Sequence, residues 1–361
     1  MAYLAAIPEP LIERQDALEA ALRTHVKEAV KSDLPLYRMM EYQLGWIDRD
    51  GEPAVRPPAP RFHGALCLEA AASVGLSARG ARGGQGESAG AAAAAAAAEL
   101  MFQSVQVHED MQSAEMRSDD HPAVWWTWGP AQAINVGDGL HALARLAVFS
   151  MGEHGDPPER VLAAVAALDG AALRYYEGQY MELTFQERID VTEAQYLEMA
   201  RAKHGSLVGV AAALGARAAG AEDEVADAFA AFGERLGVAA QIAADVAVIW
   251  GEAAPAGMVL NKSKIYPVVY ALEHASVRQK RELGTIYFKR MMEPSDIEGV
   301  RRVLDQTGAR AYAEARAAEE AAAAIAHLEG AGLGADALER WRTVAEALAP
   351  SASGPPASGD G

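Results

Sequence analysis

Residues 91–116 read AAAAAAAAELMFQSVQVHEDMQSAEM. The stretch holds no proline, no internal glycine and no alternation of β-branched residues, so it predicts one long helix. Wound that way, Phe102, Gln106, Glu109 and Ser113 fall on one face at spacings of three and four, with Asp110 on the flank. Adjacent carboxylates present hard oxygens of the kind magnesium accepts when substrate phosphates complete its shell. By itself the triplet His108-Glu109-Asp110 is more readily read as a solvated acidic face.

The same helical period runs through most of the chain, and strand signals are nearly absent. The pattern predicts an all-α protein with helices over 9–31, 35–46, 62–77, 90–115, 130–152, 157–186, 192–217, 220–252, 265–291, 294–329 and 333–348. Capping residues at 190–192 and 295–296 mark starts, and Gly215, Gly220 and Gly330 mark stops. Segments 50–60 and 78–90 are Pro-, Gly- and Ser-rich loops, with no sign of a domain linker. One domain over 1–349 is expected, followed by a disordered Pro/Ser/Gly tail at 350–361.

With 361 residues, half of them hydrophobic, the chain can bury a large core. Its net charge of −18 disfavours an extended nucleic-acid or anionic-membrane footprint. The Ala-rich run is too short for a transmembrane helix, and the N-terminus lacks the pattern of a signal peptide. Cys67 is the lone cysteine, which fits a reducing cytoplasm, and its apolar surroundings make it a packing residue.

Seven segments, LYRMMEYQLGWID (36–48), PRFHGALCLEAAASVG (60–75), VHEDMQS (107–113), AQAINVGDGLHALA (131–144), EGQYMELTFQERIDVTEAQYLEMARAKHGSL (177–207), GVAAQIAADVAVIWG (237–251) and NKSKIYPVVYALEHAS (261–276), occur in the order found in trans-polyprenyl diphosphate synthases. The chain resembles that family over nearly its whole length. The resemblance implies an isoprenoid synthase helical bundle around a deep central cavity, a homodimer or a heteromer with another prenyl synthase, and Mg2+ held on an allylic prenyl diphosphate by two Asp-rich motifs.

Carried over by position, the first motif falls on Glu109, Asp110 and Ser113. The second keeps only Asp245, with Ala244 and Val248 where acids are expected. The allylic diphosphate clamp falls on Lys203, Gln241 and Lys264, with Lys262 nearby. The second-substrate site departs most. Its basic segment becomes PAPRFHG (58–64), keeping Arg61 with His63 as a partial substitute, its histidine becomes Phe102, and its arginine pair becomes Ser118 and Asp119, with Arg117 one place upstream. A unit charge pair at 4 Å is worth roughly 4 kcal/mol at an effective dielectric near 20, so replacing a cation by Asp119 costs orders of magnitude in diphosphate affinity.

These departures imply an enzyme that ionises an allylic diphosphate without ordinary isopentenyl diphosphate condensation, as terpene synthases do. Asp110, Lys203 and Phe102 would carry the chemistry, Phe102 by facing the carbocation with its ring. Ser104 and Val105, small where the family places a floor under the growing chain, would leave a cavity for C20 or longer substrates. Two other readings stand: a non-catalytic partner subunit of an active synthase, and a chain-elongating prenyltransferase.

Overall fold

A computed structural model describes residues 7–30, 32–55, 58–79, 89–118, 120–251, 261–290 and 292–350. Sixteen α-helices occur among them: α1 (Glu9–Ile12), α2 (Gln15–Ala29), α3 (Pro35–Gln43), α4 (His63–Arg79), α5 (Ala89–Gln112), α6 (Val124–Trp128), α7 (Pro130–Ser150), α8 (Pro158–Phe185), α9 (Glu193–Ala200), α10 (Ser206–Ala218), α11 (Asp223–Trp250), α12 (Tyr266–His274), α13 (Val277–Tyr287), α14 (Pro294–Thr307), α15 (Ala309–Gly330) and α16 (Ala335–Leu348). All of the expected tail after Pro350 lies outside the described residues, as do Asp119 and most of loop 78–90.

The centre of the bundle is α4, α5, α10 and α11, with α7 and α8 against α5 and α10 on one side and α15 against α11 on the other. Small residues set the spacing. The alanines of α5 from Ala93 to Ala97 are fully buried, and Gly205 and Gly209 face Gly237 and Gly233 so closely that an added Cβ would strike backbone at under 3 Å. A second, smaller apolar cluster, with Ile249, Val268, Leu283 and Val303, joins the end of α11 to α12, α13 and α14.

Several boundaries differ from the sequence expectation. The stretch 294–329 is broken at Gly308, whose φ of +70° ends α14 in a left-handed turn. The stretch 265–291 is broken at Ser276, which caps α13 through a box with Gln279. Gly215 is no stop: it lies inside α10, where a Cβ would collide with the Cys67 carbonyl, so its role is close approach to α4. Thr192 does cap α9, again through a box. A short hairpin, β1 (Arg117–Ser118) with β2 (His121–Pro122), follows α5 where no strand was expected.

The change that matters most for the site lies between α9 and α10. Residues Arg201–Gly205 form a π-turn, a local widening of the helix that is common at functional sites. Gly178 on α8 lets that turn approach, since a Cβ there would lie 2.5 Å from the Lys203 nitrogen.

Candidate active site

Helices α5 and α8 and the π-turn bring an acid and a base together. Lys203, only 2% exposed, donates from Nζ to Glu109 Oε1 at 2.7 Å and to Glu182 Oε2 at 2.5 Å. Tyr175 donates its hydroxyl to the other Glu109 oxygen at 2.9 Å. Burial would raise the Glu109 pKa, but the Lys203 ammonium beside it holds that carboxyl well below the usual range. The same two carboxylates raise the Lys203 pKa against its own burial. Glu109 and Lys203 therefore meet as a charged pair, with Glu182 as a third member.

Asp110 points elsewhere. Its Oδ2 lies 2.6 Å from Arg117 Nη2, and Gln106 donates to Oδ1 at 3.0 Å. Burial pushes the Asp110 carboxyl up to about 6 in spite of the guanidinium. Arg117 reaches it from the hairpin, with a left-handed φ of +61°, a strained backbone for a non-glycine residue.

Asp245 and Gln241 form a separate knot on α11. Asp245 accepts from the Tyr196 hydroxyl at 2.5 Å, from the Tyr266 backbone N–H at 2.7 Å and from Gln241 Nε2 at 2.7 Å. Burial raises its carboxyl to about 7 against those three donors, with Glu182 adding repulsion. Gln241, expected to touch diphosphate, is buried and engaged with Asp245. Lys264 is placed differently again: its Nζ donates to the carbonyls of Gln186 and Lys262 and stands 4.7 Å over the Tyr287 ring.

Would a magnesium ion fit? Glu109 and Asp110 are adjacent hard-oxygen donors, and in the wider cluster the four carboxylates Glu109, Asp110, Glu182 and Asp245 outnumber the cations Lys203, Arg117 and Lys264. A diphosphate entering that field needs added positive charge, so a divalent ion fits Glu109 and Asp110, provided Lys203 and Arg117 turn to the ligand. It does not fit Asp245. The two oxygens of that residue already take three donors, which corrects the expectation of a metal ligand there. Among the described residues, the acid and histidine group that does gather within 4.8 Å is Glu193, Glu273 and His274, but Glu193 is occupied by the hydroxyls of Tyr266 and Tyr312.

Arg61 and His63, expected beside a second substrate, are both engaged with other protein groups. Arg61, 4% exposed, donates from Nε to Glu19 at 2.8 Å and from Nη2 to the Leu44 carbonyl. His63 stacks on Phe102 at 4.3 Å, and burial lowers its pKa to about 3, so the imidazole is neutral at every physiological pH. Neither ring nitrogen has a hydrogen-bond partner. Next to this stack, Glu99 accepts from the Gly64 N–H and from Gln103, which in turn accepts from Gln43.

The reading of Ser104 and Val105 as the opening of a deep cavity is corrected. Both have 0% exposed surface, so neither borders a void that would admit even water. The accessible stripe of α5 is the one read from its period: Phe102, Gln106, Glu109 and Ser113 are all half-buried. From Ser113 to Phe102 it descends about 16 Å at 1.5 Å per residue. Of the tryptophans, Trp125 donates to the Glu115 carbonyl, Trp128 packs on Tyr42 and Trp250 donates to Asp305.

Sequence reasoning missed Glu182, Tyr175 and Tyr196. The first two had a signal: Tyr175, Gln179 and Glu182 recur at spacings of four and three on α8. Tyr196 and the π-turn had none.

In this helical bundle Glu109 of α5 meets the buried Lys203 on an accessible stripe, while its neighbour Asp110 turns to Arg117. The polyprenyl synthetase family model matches residues 46–304. The chain is 30% identical to the geranylgeranyl diphosphate synthase of Mycobacterium tuberculosis over 340 residues, 91% of this chain and 92% of that one. Among solved structures it resembles a polyprenyl synthetase from Streptomyces coelicolor, with a TM-score of 0.81 and 24% identity over 94% of this chain and 98% of the other. It also resembles the geranylgeranyl pyrophosphate synthetase of Geoglobus acetivorans, with a TM-score of 0.74 and 27% identity over 93% and 98%. The chain belongs to the polyprenyl synthetase family, and its place is in isoprenoid biosynthesis with a prenyl diphosphate. No described helix is long and apolar enough to cross a membrane.

Proposed function

We propose that this chain binds an allylic prenyl diphosphate and ionises it without condensing it with isopentenyl diphosphate. The observation that carries the reading is Arg61. The one cation kept from the second-substrate segment is buried and bound to Glu19 and Leu44, beside a neutral His63 stacked on Phe102. Among the described residues carried over to that place, a second diphosphate would meet no free positive charge.

In the reaction, the bond between C1 of the prenyl chain and the diphosphate oxygen breaks, and the electron pair leaves with the diphosphate. Glu109 and Asp110 would hold magnesium, which when bound supplies charge to a departing diphosphate. Lys203 turns from Glu109 to a phosphate oxygen as a compact point charge. The half-buried ring of Phe102, at the deep end of the stripe, faces the allylic cation, an attraction of about 0.5–2 kcal/mol. The cation then loses a proton or captures water, which ends the sequence without a new carbon–carbon bond to a second substrate.

Chain elongation is the second reading. It is favoured by the names of the relatives, which are those of diphosphate synthases. Incubation with geranylgeranyl diphosphate and magnesium, with and without isopentenyl diphosphate, separates the two. The expected result is diphosphate release and a C20 hydrocarbon or alcohol in both tubes; a C25 diphosphate made only in the second tube overturns the proposal. An absence of turnover, with co-purification of an active synthase, would favour the partner-subunit reading. Association with a second copy is supported by exposed apolar residues on two neighbouring helices, Leu146 and Phe149 on α7 and Leu162, Leu173 and Tyr180 on α8.

A further inference from the structure

The outer face of α13 carries a charge opposite to that of the chain. Residues 277–290 hold five cations, Arg278, Lys280, Arg281, Lys289 and Arg290, against one acid, Glu282, in a chain whose net charge is −18. All five cations are exposed. Glu282 is bound by Arg302 of α14 at 2.6 Å, so its charge is already matched. Lys289 pairs with Asp296 at 2.5 Å, and Lys280 donates to the Glu273 carbonyl. The guanidinium groups of Arg278, Arg281 and Arg290 have neither an ion pair nor a hydrogen bond among the described residues.

Large apolar side chains share that face. Val277 is 75% exposed and Phe288 71%. Spacings of four, four and three put Val277, Arg281, Thr285 and Phe288 in one line about 16 Å long, with Arg278 beside it. The Phe288 ring passes over Gly284, where an added Cβ would lie 4.0 Å from it. Ile189, also exposed, lines the same open pocket as Phe288 and widens the apolar end of the stripe. The opposite face of α13, with Leu283 and Tyr287, packs into the second apolar cluster. The helix is therefore held from behind, and its packing makes no use of Val277, Arg278 or Arg281.

We propose that this stripe docks the protein on an anionic lipid surface, with Arg278, Arg281 and Arg290 at the headgroup phosphates and Val277 and Phe288 entering the acyl boundary. Cations and bulky apolar groups on one helix face suit a helix that lies in the plane of the interface. The chain's −18 opposes an extended footprint, but at physiological salt that repulsion is screened beyond about 8 Å, and the charge nearest the lipid is the stripe's own. An acidic protein would also match the arginines. A fluid boundary accepts in addition two apolar groups at opposite ends of the stripe, with no pocket shaped for either. Behind the stripe Tyr287 stands 4.7 Å from Lys264, so docking sets the bilayer beside a lysine carried over to the diphosphate clamp. The inference takes from the proposed function its ligand, a chain with a prenyl tail that partitions into lipid, and nothing of its chemistry.

Co-sedimentation of the full chain with vesicles tests it, and no substrate enters the readout, so a failure here leaves the proposed reaction untouched. Vesicles of phosphatidylcholine alone are compared with vesicles containing about a third phosphatidylglycerol. Binding is expected to the anionic vesicles alone, falling as salt is raised. The double change Arg278→Gln with Arg281→Gln should weaken it about twentyfold, about fivefold for each cation. Phe288→Ser should weaken it about tenfold with little change in salt dependence. All three side chains are exposed, so melts followed by circular dichroism should stay within a degree or two of the parent. Absence of binding to anionic vesicles, or binding equal in the parent and both variants, overturns the proposal. So does a parent that ignores both vesicles while its mass by light scattering falls on the same substitutions, which would make the face a contact between copies of the chain.

Discussion

Arg61→Met tests whether the second-substrate site has become structure. The substitution keeps most of the side-chain volume and removes the guanidinium. Two interactions are lost: the 2.8 Å bond to Glu19 and the bond to the Leu44 carbonyl. Glu19 keeps a bond from Trp46 Nε1 at 2.8 Å and is 22% exposed, so water replaces part of what it loses. The Leu44 carbonyl has no such relief, since Leu44 is fully buried. A buried acceptor left unmade costs about 1–3 kcal/mol, and a charged hydrogen bond contributes about 1.5–3. The expected destabilisation is about 3 kcal/mol. Urea unfolding read by circular dichroism reports it as a lower midpoint at unchanged slope. Isopentenyl diphosphate, titrated in parallel, should bind no better to the parent chain than to the variant. A variant as stable as the parent to within about 0.5 kcal/mol, yet deficient in isopentenyl diphosphate binding, would show Arg61 to be a ligand-binding group and would refute the argument.

Three further outcomes are expected. Lys203→Met leaves the half-buried Glu109 and Glu182 without their cation, which costs about 3–5 kcal/mol; with Lys203 gone the folded-state pKa of Glu109 rises, so its share of the deficit is full above that value and shrinks as acid protonates it, and melts at pH 8 and pH 5 should show the larger loss at pH 8. In the parent chain Glu109 is depressed, so its contribution is present above its unfolded value and persists until strong acid. Gly178→Ala drives a Cβ into the Lys203 backbone, an overpacking cost of about 1–3 kcal/mol, and substrate turnover should fall with it; unchanged stability and turnover would mean that the π-turn is not held by α8. Paired Leu162→Asp and Leu173→Asp changes, both at exposed positions, should leave the fold intact and halve the mass seen by light scattering if α8 meets a second copy.

The α5 stretch determined a great deal without help from the rest of the chain. A period of 3.6 places Phe102, Gln106, Glu109 and Ser113 on one face whatever surrounds them, and the structure leaves that face half-buried and accessible. The all-α class was equally local, because each segment carries its own apolar period. Glycine was the ambiguous letter. Gly308 ends a helix and Gly215 lets two helices touch, and no proline stands beside either to tell them apart.

What only the tertiary structure decided is which partner each charged group keeps. Lys203, Lys264 and Arg61 are all basic letters at family positions, yet the first is bound by two carboxylates, the second by carbonyls and a ring, and the third by Glu19. Apart from the Lys262 carbonyl, those partners lie 21 to 94 residues away in the chain, and the turn that aims Lys203 exists because Gly178 leaves room for it. Period fixes the face a residue shares with its own helix. The charges facing it across the bundle come from distant segments, and in a low-dielectric interior those charges decide whether a group is a ligand, a latch or part of the core.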